Sequence, residues 1–299
     1  MTQFFALLRL QLLSRYADLK PRNLKTALKE KKGRTIGMFI AIAFLVIYLG
    51  VILYIVETKM MDLLMKMGMP EMLISMAVML ATAGTLVMSF FFVLSSLYLG
   101  RDAAYLAALP IEPRTILSAK LTQVWISETC IDAALILPAC ILYGVKTGAD
   151  IGFYLRVIPV WLLIALLPIC IIAFVSSLLI RLSALWKHRE ILLTVSGIAL
   201  LIAYMFLMMN VGSITGDAAD GGEMLKSFMQ SYSTRINSMT KLFPPAGWAA
   251  NGMLGNNYGM YIVWILISLA APVITVWLLG YSYRKLSMLQ TETPGGGMK

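Results

Sequence analysis

The stretch "LAALPIEPRTILSAKL" (residues 106–121) connects two long apolar segments, and it has the pattern of a shaped corner. A helix-forming run ends at Pro110, because proline disfavours helical geometry at the residue before it. Pro113 suits the first turn of a second helix, where its missing N–H leaves no hydrogen bond unmade. The pattern therefore predicts a helix, a short stiff corner and another helix.

The composition around this corner is that of an integral membrane protein. Of 299 residues, 60% are apolar and 13% are charged, and the mean hydropathy is +0.81. Soluble domains usually carry about 25% charged residues. The excess of apolar surface must face lipid.

Six apolar stretches are long enough to cross a bilayer, which takes about 20 residues. They are 36–56, 72–99, 118–144, 152–180, 191–212 and 259–282. We therefore predict an all-α integral membrane protein with a six-span domain over residues 36–282. Four prolines within or near the ends of these spans are expected to kink their helices: Pro138, Pro159, Pro168 and Pro272.

The segments on either side of this domain are predicted to be cytoplasmic. Residues 1–35 are predicted to form an interfacial amphipathic helix followed by a basic stretch that lies among anionic headgroups. An apolar stripe at helical spacing would face the membrane, with Gln11 on the opposite side; the stripe is Phe5, Leu8, Leu12, Tyr16 and Leu19. Residues 283–299 are predicted to be a tail or linker, and whether the native chain continues past Lys299 stays open.

The distribution of basic residues predicts the orientation. With the N-terminus inside, 18 of the 25 Lys and Arg residues fall on the inner side, when Lys120 is counted with the corner. Because basic residues favour the cytoplasmic side, we predict that both termini are cytoplasmic and that the protein lies in the plasma membrane. The same bias explains the net charge of +10 without a nucleic-acid partner.

Chemical motifs of enzymes are missing from the sequence. The three cysteines lie inside apolar runs, and the single histidine is His188, so no zinc site is expected. No GxxxxGK[ST] phosphate loop is present. We expect no catalytic residue, no metal site and no cofactor in this chain, and we expect it not to be an enzyme.

Two acidic residues, Glu128 and Asp132, stand four apart in the third span and share a helix face. A charged acid in mid-membrane costs about 3 kcal/mol on insertion scales, so both should face protein. They could form a structural pair, or they could line a translocation path or a subunit interface. The sequence leaves these alternatives open.

The segment 213–258 is the long external region before the last span. Its second half mixes apolar and polar residues and contains Trp248 and Tyr258, which suit the headgroup level. It could form helical pieces at the outer leaflet, or it could be an ordinary exposed loop.

The corner segment "AYLAALPIEPRTILSAKL" (104–121) resembles the inner loop of ABC-2-type transporter permeases. Those proteins often show a Leu-Pro-hydrophobic corner, a basic residue and an Ala/Ser-Lys-Leu entry to the third span. "FPPAGWAANG" (243–252) is similar to a Pro-rich, Trp-containing stretch before their sixth span. The layout of six spans with both ends inside is also similar.

This resemblance implies that the chain is the permease half of an ABC transporter. It implies a separate ATP-binding cassette ATPase subunit and a second permease half, which could be a copy, a paralogue or a missing C-terminal portion. The corner would then be the ATPase-coupling site, formed by Tyr105, Leu109, Pro110, Ile111, Glu112 and Arg114. The alternative is a motor-free secondary transporter or a membrane interaction scaffold. The substrate and the direction of transport cannot be read from the sequence.

Overall fold

The computed structural model describes residues 2–15, 32–98, 111–183 and 243–291, with a few isolated positions between 197 and 205. Every regular element in these ranges is helical, and none is a strand. The predicted all-α class is therefore confirmed for the part of the chain that is described.

The helices follow one another in chain order with short connections where the chain is continuous. They are α1 (Thr2–Arg15), α2 (Lys32–Lys66), α3 (Glu71–Val93), a π-helical turn (Leu94–Tyr98), α4 (Pro113–Thr147), α5 (Ile151–Leu163), α6 (Leu166–Ser183), α7 (Pro244–Leu254) and α8 (Tyr258–Thr291).

Four segments among the described residues are long and apolar enough to cross a membrane. They are Glu71–Leu97, Pro113–Thr147, Ile151–Arg181 and Tyr258–Tyr281, and they correspond to the second, third, fourth and sixth predicted spans. The first predicted span lies on α2, a continuous helix of 35 residues that is not among the four. Most of the fifth, 191–212, lies outside the described residues.

The long helices run in two opposite directions, so their ends gather at two sides of the bundle. At the side that we call the Pro113 end, Tyr283 of α8 donates a hydrogen bond to Leu97 O at 3.0 Å. At the opposite side, the Thr147 end, Arg156 Nη1 of α5 donates to Tyr258 Oη of α8 at 2.5 Å. These contacts fix α8 against the other spans at both ends.

Two apolar clusters form most of the core, one toward each end. The cluster at the Pro113 end takes residues from α1, α3, α4, α6 and α8, with Phe90, Leu117 and Ile180 at most 1% exposed. The cluster at the Thr147 end takes residues from α3, α4, α5, α7 and α8, and includes Ile136 and Trp264. α3, α4 and α8 contribute to both clusters. α4 also contacts α1, α2, α5 and α6, which makes it the central helix of the described bundle.

α7 resolves the alternatives left open for part of the external region. Residues 244–254 are helical, and α7 packs against α3, α5 and α8. Gly255 ends this helix at φ 81°, a left-handed conformation that glycine adopts without a Cβ clash. Residues 213–242 lie outside the described residues.

α1 packs against protein in a way that its sequence pattern does not predict. Leu7 is 6% exposed and Gln11 is 4% exposed, whereas Phe5 is 63% exposed. The assignment of Gln11 to the solvent side was wrong, because α1 packs on α4 at the Pro113 end and turns Leu7 and Gln11 inward. The interfacial location of α1 stays a prediction.

The span Ile151–Arg181 is broken at Ile164–Ala165, between α5 and α6. Pro168 accounts for the break, because a proline clashes with the carbonyl of the residue four positions earlier, here Ile164. Regular bonding continues on both sides, from Ile164 N to Val160 O at 2.9 Å and from Ile169 N to Ala165 O at 3.1 Å. The predicted disturbance at Pro168 is thus confirmed as an interruption of the helix.

Candidate functional site

A buried polar face of α4 is turned toward the inside of the protein. Lys120, Glu128 and Asp132 are each 1% exposed. Their spacings of eight and four residues place them on one side of the helix. Both acids are buried in protein, as expected of carboxyl groups that do not face lipid, while their role in a path or an interface stays a prediction.

Asp132 is held by a threonine of the neighbouring helix. Thr85 Oγ1 of α3 lies 3.1 Å from Asp132 Oδ1 and 3.2 Å from Oδ2. The same hydroxyl oxygen lies 2.9 Å from Ala81 O, so its one hydrogen is shared between the aspartate and the backbone. Both residues stand near the middle of their helices, so this contact connects α3 and α4 deep in the bundle.

Lys120 connects the same two helices at the Pro113 end. Its Nζ donates to Ser96 O of the π-helical turn at 2.6 Å. The last carbonyls of a helix lack partners within it, and here Lys120 and Tyr283 bind those of Ser96 and Leu97. The ammonium of Lys120 is thus buried and bound to the backbone rather than exposed at a surface. The side of the membrane on which it lies stays a prediction.

Two tryptophans connect α4 to the broken span. Trp125 Nε1 of α4 donates to Leu162 O at 2.8 Å. Trp161 Nε1 of α5 donates to Thr129 O at 2.9 Å. Each indole N–H thus binds a carbonyl of the other helix, and Leu162 lies two residues before the break.

An apolar cavity of about 490 Å³ lies beside this pair, between α4, α6 and α8. Leu163 and Leu166, which flank the break, form part of its wall together with Trp125, Pro272 and Val276. A volume of this size is in the range of small-molecule sites, which measure about 300–1,000 Å³. The cavity is therefore a candidate binding site.

The hydroxyl groups in this wall already donate their hydrogens to backbone carbonyls of the protein. Thr122 Oγ1 donates to Ser118 O at 2.8 Å, and Ser118 Oγ donates to Thr115 O at 2.9 Å. The remaining polar lining group is the thiol of Cys170, a weak donor. The cavity therefore favours a ligand that is held by apolar contact.

The corner residues are described only in part. Tyr105, Leu109 and Pro110 lie outside the described residues. Glu112 and Arg114 are exposed, and Pro113 occupies the first turn of α4 as predicted. Ile111 is half-buried against the cluster at the Pro113 end, so this side chain contributes to the protein's own core.

Metal ligation has little support in the described ranges. No group of three His, Cys, Asp or Glu side chains there is arranged to hold a metal ion. Cys140 and Cys170 are buried and Cys130 is exposed, and all three are free thiols.

The comparison with known families gives one match. A family model described as "Putative ATP-binding cassette" (ABC_tran_2) matches residues 29–288. No curated protein and no solved structure matches the chain.

This match corrects three predictions. The assignment to the ABC-2-type permeases and the function as a permease half were wrong, because the matching family is described as an ATP-binding cassette. The expectation that the chain is not an enzyme is contradicted by the same match, since such cassettes normally hydrolyse ATP. The sequence has no GxxxxGK[ST] stretch, so that motif is not what the family model recognises.

Proposed function

We propose, since the chain belongs to the ATP-binding cassette family whose model matches residues 29–288, that it acts in ATP-dependent movement of an apolar or amphipathic solute through the membrane. One observation carries this proposal: the family match covers the four segments among the described residues that are long enough to cross a membrane. The helices that enclose the 490 Å³ cavity lie in the same match. The candidate membrane spans and the cavity therefore lie in the same stretch of chain that the family model matches.

The shape of the cavity supports an apolar solute. Its walls come from α4, α8 and the broken span formed by α5 and α6, which is interrupted at the level of the cavity. Interrupted helices in membrane proteins are tolerated where they are buried in protein or line a cavity. Small shifts of α5 against α6 at Ile164–Ala165 would change the shape of the wall without breaking a continuous hydrogen-bond ladder.

The proposal includes an orientation. The Pro113 end would face the cytoplasm and the Thr147 end the outside of the plasma membrane, on the basis of the positive-inside bias. The exposed Glu112 and Arg114 would then contact other members of a transporter complex. An impermeant thiol reagent on intact cells should label a cysteine placed at Ser227 and not one placed at Ser183; the reverse pattern would contradict the orientation.

The test of the function uses membrane vesicles that contain the chain. The neutral apolar dye N-phenyl-1-naphthylamine should leave or enter the membrane faster when hydrolysable ATP is supplied, and not with a non-hydrolysable analogue. Val276→Phe, which fills the cavity, should slow the ATP-dependent component at least tenfold. Val263→Phe on the lipid-exposed side of α8 is the matched control and should move dye normally.

Dye movement that is independent of ATP in vesicles containing the wild-type chain would contradict the proposal. Equal rates for the two valine variants would remove the cavity from the mechanism. ATP hydrolysis by the purified chain is measured in the same preparation, since the family predicts it.

A further inference from the structure

A second cavity, of about 200 Å³, lies between α2, α3 and α4 and has a different chemistry. Its wall is apolar, with Met60, Met76, Ala77, Leu80 and Leu135, apart from one carboxyl group. That group is the side chain of Glu57. The cavity is separate from the large one, because the two share no lining residue.

Glu57 is a buried acid with one carboxyl oxygen that has no partner among the described residues. The residue is 9% exposed, and its Oε2 is fully buried without a hydrogen-bond partner among the described residues. Buried polar groups in proteins are almost always hydrogen-bonded, and buried charges are paired. A carboxyl group aimed into an apolar cavity in this way either keeps its proton or pairs with a positive group from outside the described residues.

The lysines close to this region are directed elsewhere. Lys146 of α4 forms an ion pair with Asp62 of α2, more than one helical turn beyond Glu57. Lys59 follows Glu57 by two residues and is exposed, which places it on a different face of α2. The chain thus brings a negative group to the cavity and keeps these positive groups outside it.

We propose that this second cavity binds the cationic head of an alkylammonium amphiphile, with Glu57 as its counter-ion. A hard divalent metal is disfavoured, because such ions require several oxygen ligands and the cavity supplies one carboxylate. The thioethers of Met60 and Met76 are soft and polarizable, and they adapt to irregular apolar groups. An ammonium group with methylene carbons attached fits both features.

The size and the position of the cavity define how such a ligand would lie. About seven groups of the size of a water molecule, about 30 Å³ each, fill 200 Å³. The cavity therefore holds the ammonium and the first few methylenes. Val56 is 53% exposed and Leu80 is 42% exposed at its rim, so the remaining alkyl chain would extend along these side chains into lipid.

The inference does not depend on the proposed transport function, and its test requires no ATP. Binding of radiolabelled dodecylamine to the full chain in neutral-lipid nanodiscs should be saturable, with competition by unlabelled dodecylamine and none by dodecanol. Glu57→Gln keeps the shape of the side chain and removes the charge, and it should weaken binding at least tenfold. Asp62→Asn, which removes an exposed carboxylate one turn away, should bind like the wild type.

A second variant keeps the charge and removes the space. Ala77→Leu adds volume to the cavity wall and should reduce dodecylamine binding with Glu57 intact. Equal binding by wild type and Glu57→Gln would overturn the proposal, and so would effective competition by dodecanol. If wild type shows no saturable binding, Glu57 holds only a proton and the cavity is not an amine site.

Discussion

The 490 Å³ cavity and the 200 Å³ cavity differ in volume and, more importantly, in the state of their polar groups. The large cavity, beside the broken span, has hydroxyl groups in its wall whose hydrogens are bound to the backbone of α4. The small cavity, between α2, α3 and α4, has a carboxyl oxygen without a partner among the described residues. The first therefore favours apolar ligands, and the second a cation, although both are lined mostly by apolar residues.

This difference shows that lining composition alone does not decide ligand chemistry. Ser118 and Thr122 would suggest polar recognition in the large cavity if they were counted as lining residues only. Ser118 and Thr122 donate their hydroxyl hydrogens to carbonyls three and four residues earlier, so these groups keep only acceptor lone pairs for a ligand. Glu57 is outnumbered by apolar neighbours, yet its lack of a partner makes it the decisive group.

The largest expected effect on stability is at the Pro113 end of the bundle. Lys120→Ala removes a buried hydrogen bond and the packing of a long side chain, so it should lower the free energy of unfolding by about 2–4 kcal/mol. Dye binding in the large cavity should fall, and dodecylamine binding in the small cavity should change little. Denaturation in mixed detergent micelles measures the first quantity, and Lys66→Ala at an exposed site is the control. A Lys120→Ala protein as stable as that control would show that the buried ammonium is dispensable.

The next comparison tests whether Trp125 acts as a cavity wall as well as a hydrogen-bond donor. Trp125→Phe and Trp161→Phe each lose one bond to a carbonyl, so each should lose about 1 kcal/mol of stability. Only Trp125 lines the large cavity. Fluorescence titration measures the affinity for the dye. The affinity should fall about threefold to tenfold for Trp125→Phe, because the smaller ring leaves fewer contacts with the dye. The affinity should remain unchanged for Trp161→Phe. Equal affinities would place the dye elsewhere.

At the small cavity, a substitution is expected to stabilise the folded protein instead of destabilising it. Without amine present, Glu57→Gln should raise the free energy of unfolding by about 1 kcal/mol, because an unpaired carboxylate no longer has to be buried. Asp62→Asn should lower it by about 0–1 kcal/mol, because it removes an exposed ion pair with Lys146. Thermal unfolding in nanodiscs at neutral pH measures both. Destabilisation by Glu57→Gln would mean that the carboxylate has a partner in the folded protein.

The smallest effect on stability is expected at the α3–α4 contact. Asp132→Asn retains an oxygen that accepts from Thr85, so the free energy of unfolding should change by about 0.5 kcal/mol or less. If the buried acids line a path, the double variant Glu128→Gln, Asp132→Asn should lose ATP-dependent dye movement while it remains folded. Wild-type transport by this variant across pH 6–8 would assign the two acids a structural role.

Much of the architecture follows from the sequence because membrane spans are local. Predicted spans 72–99, 118–144, 152–180 and 259–282 correspond to the segments found, within a few residues at most ends. Helical backbone satisfies its own hydrogen bonds in lipid, so apolar length alone identifies these elements. Pro113 at the start of α4 and the break before Pro168 are equally local, since each follows from the backbone constraints of one proline.

The family assignment shows the limit of short motifs. The resemblance to permeases rested on the stretches 104–121 and 243–252, and the family match over 29–288 contradicts it. Short apolar motifs that contain proline recur in membrane proteins because bilayer and helix geometry favour them. A pattern extended over most of the chain carries information that two short stretches lack.

The amino-acid sequence by itself determined the helical class, the approximate spans and the presence of Glu128 and Asp132 on one helix face. Only the tertiary structure decided which polar groups have partners. It buried Lys120 against the carbonyl of Ser96, turned Gln11 inward, and left Glu57 facing a cavity. The physical reason is that helix formation depends on neighbours within four residues, whereas the pairing of a polar side chain depends on which helices pack together. Glu57 follows an apolar run directly, and its burial arises only because α3 and α4 pack on that side of α2.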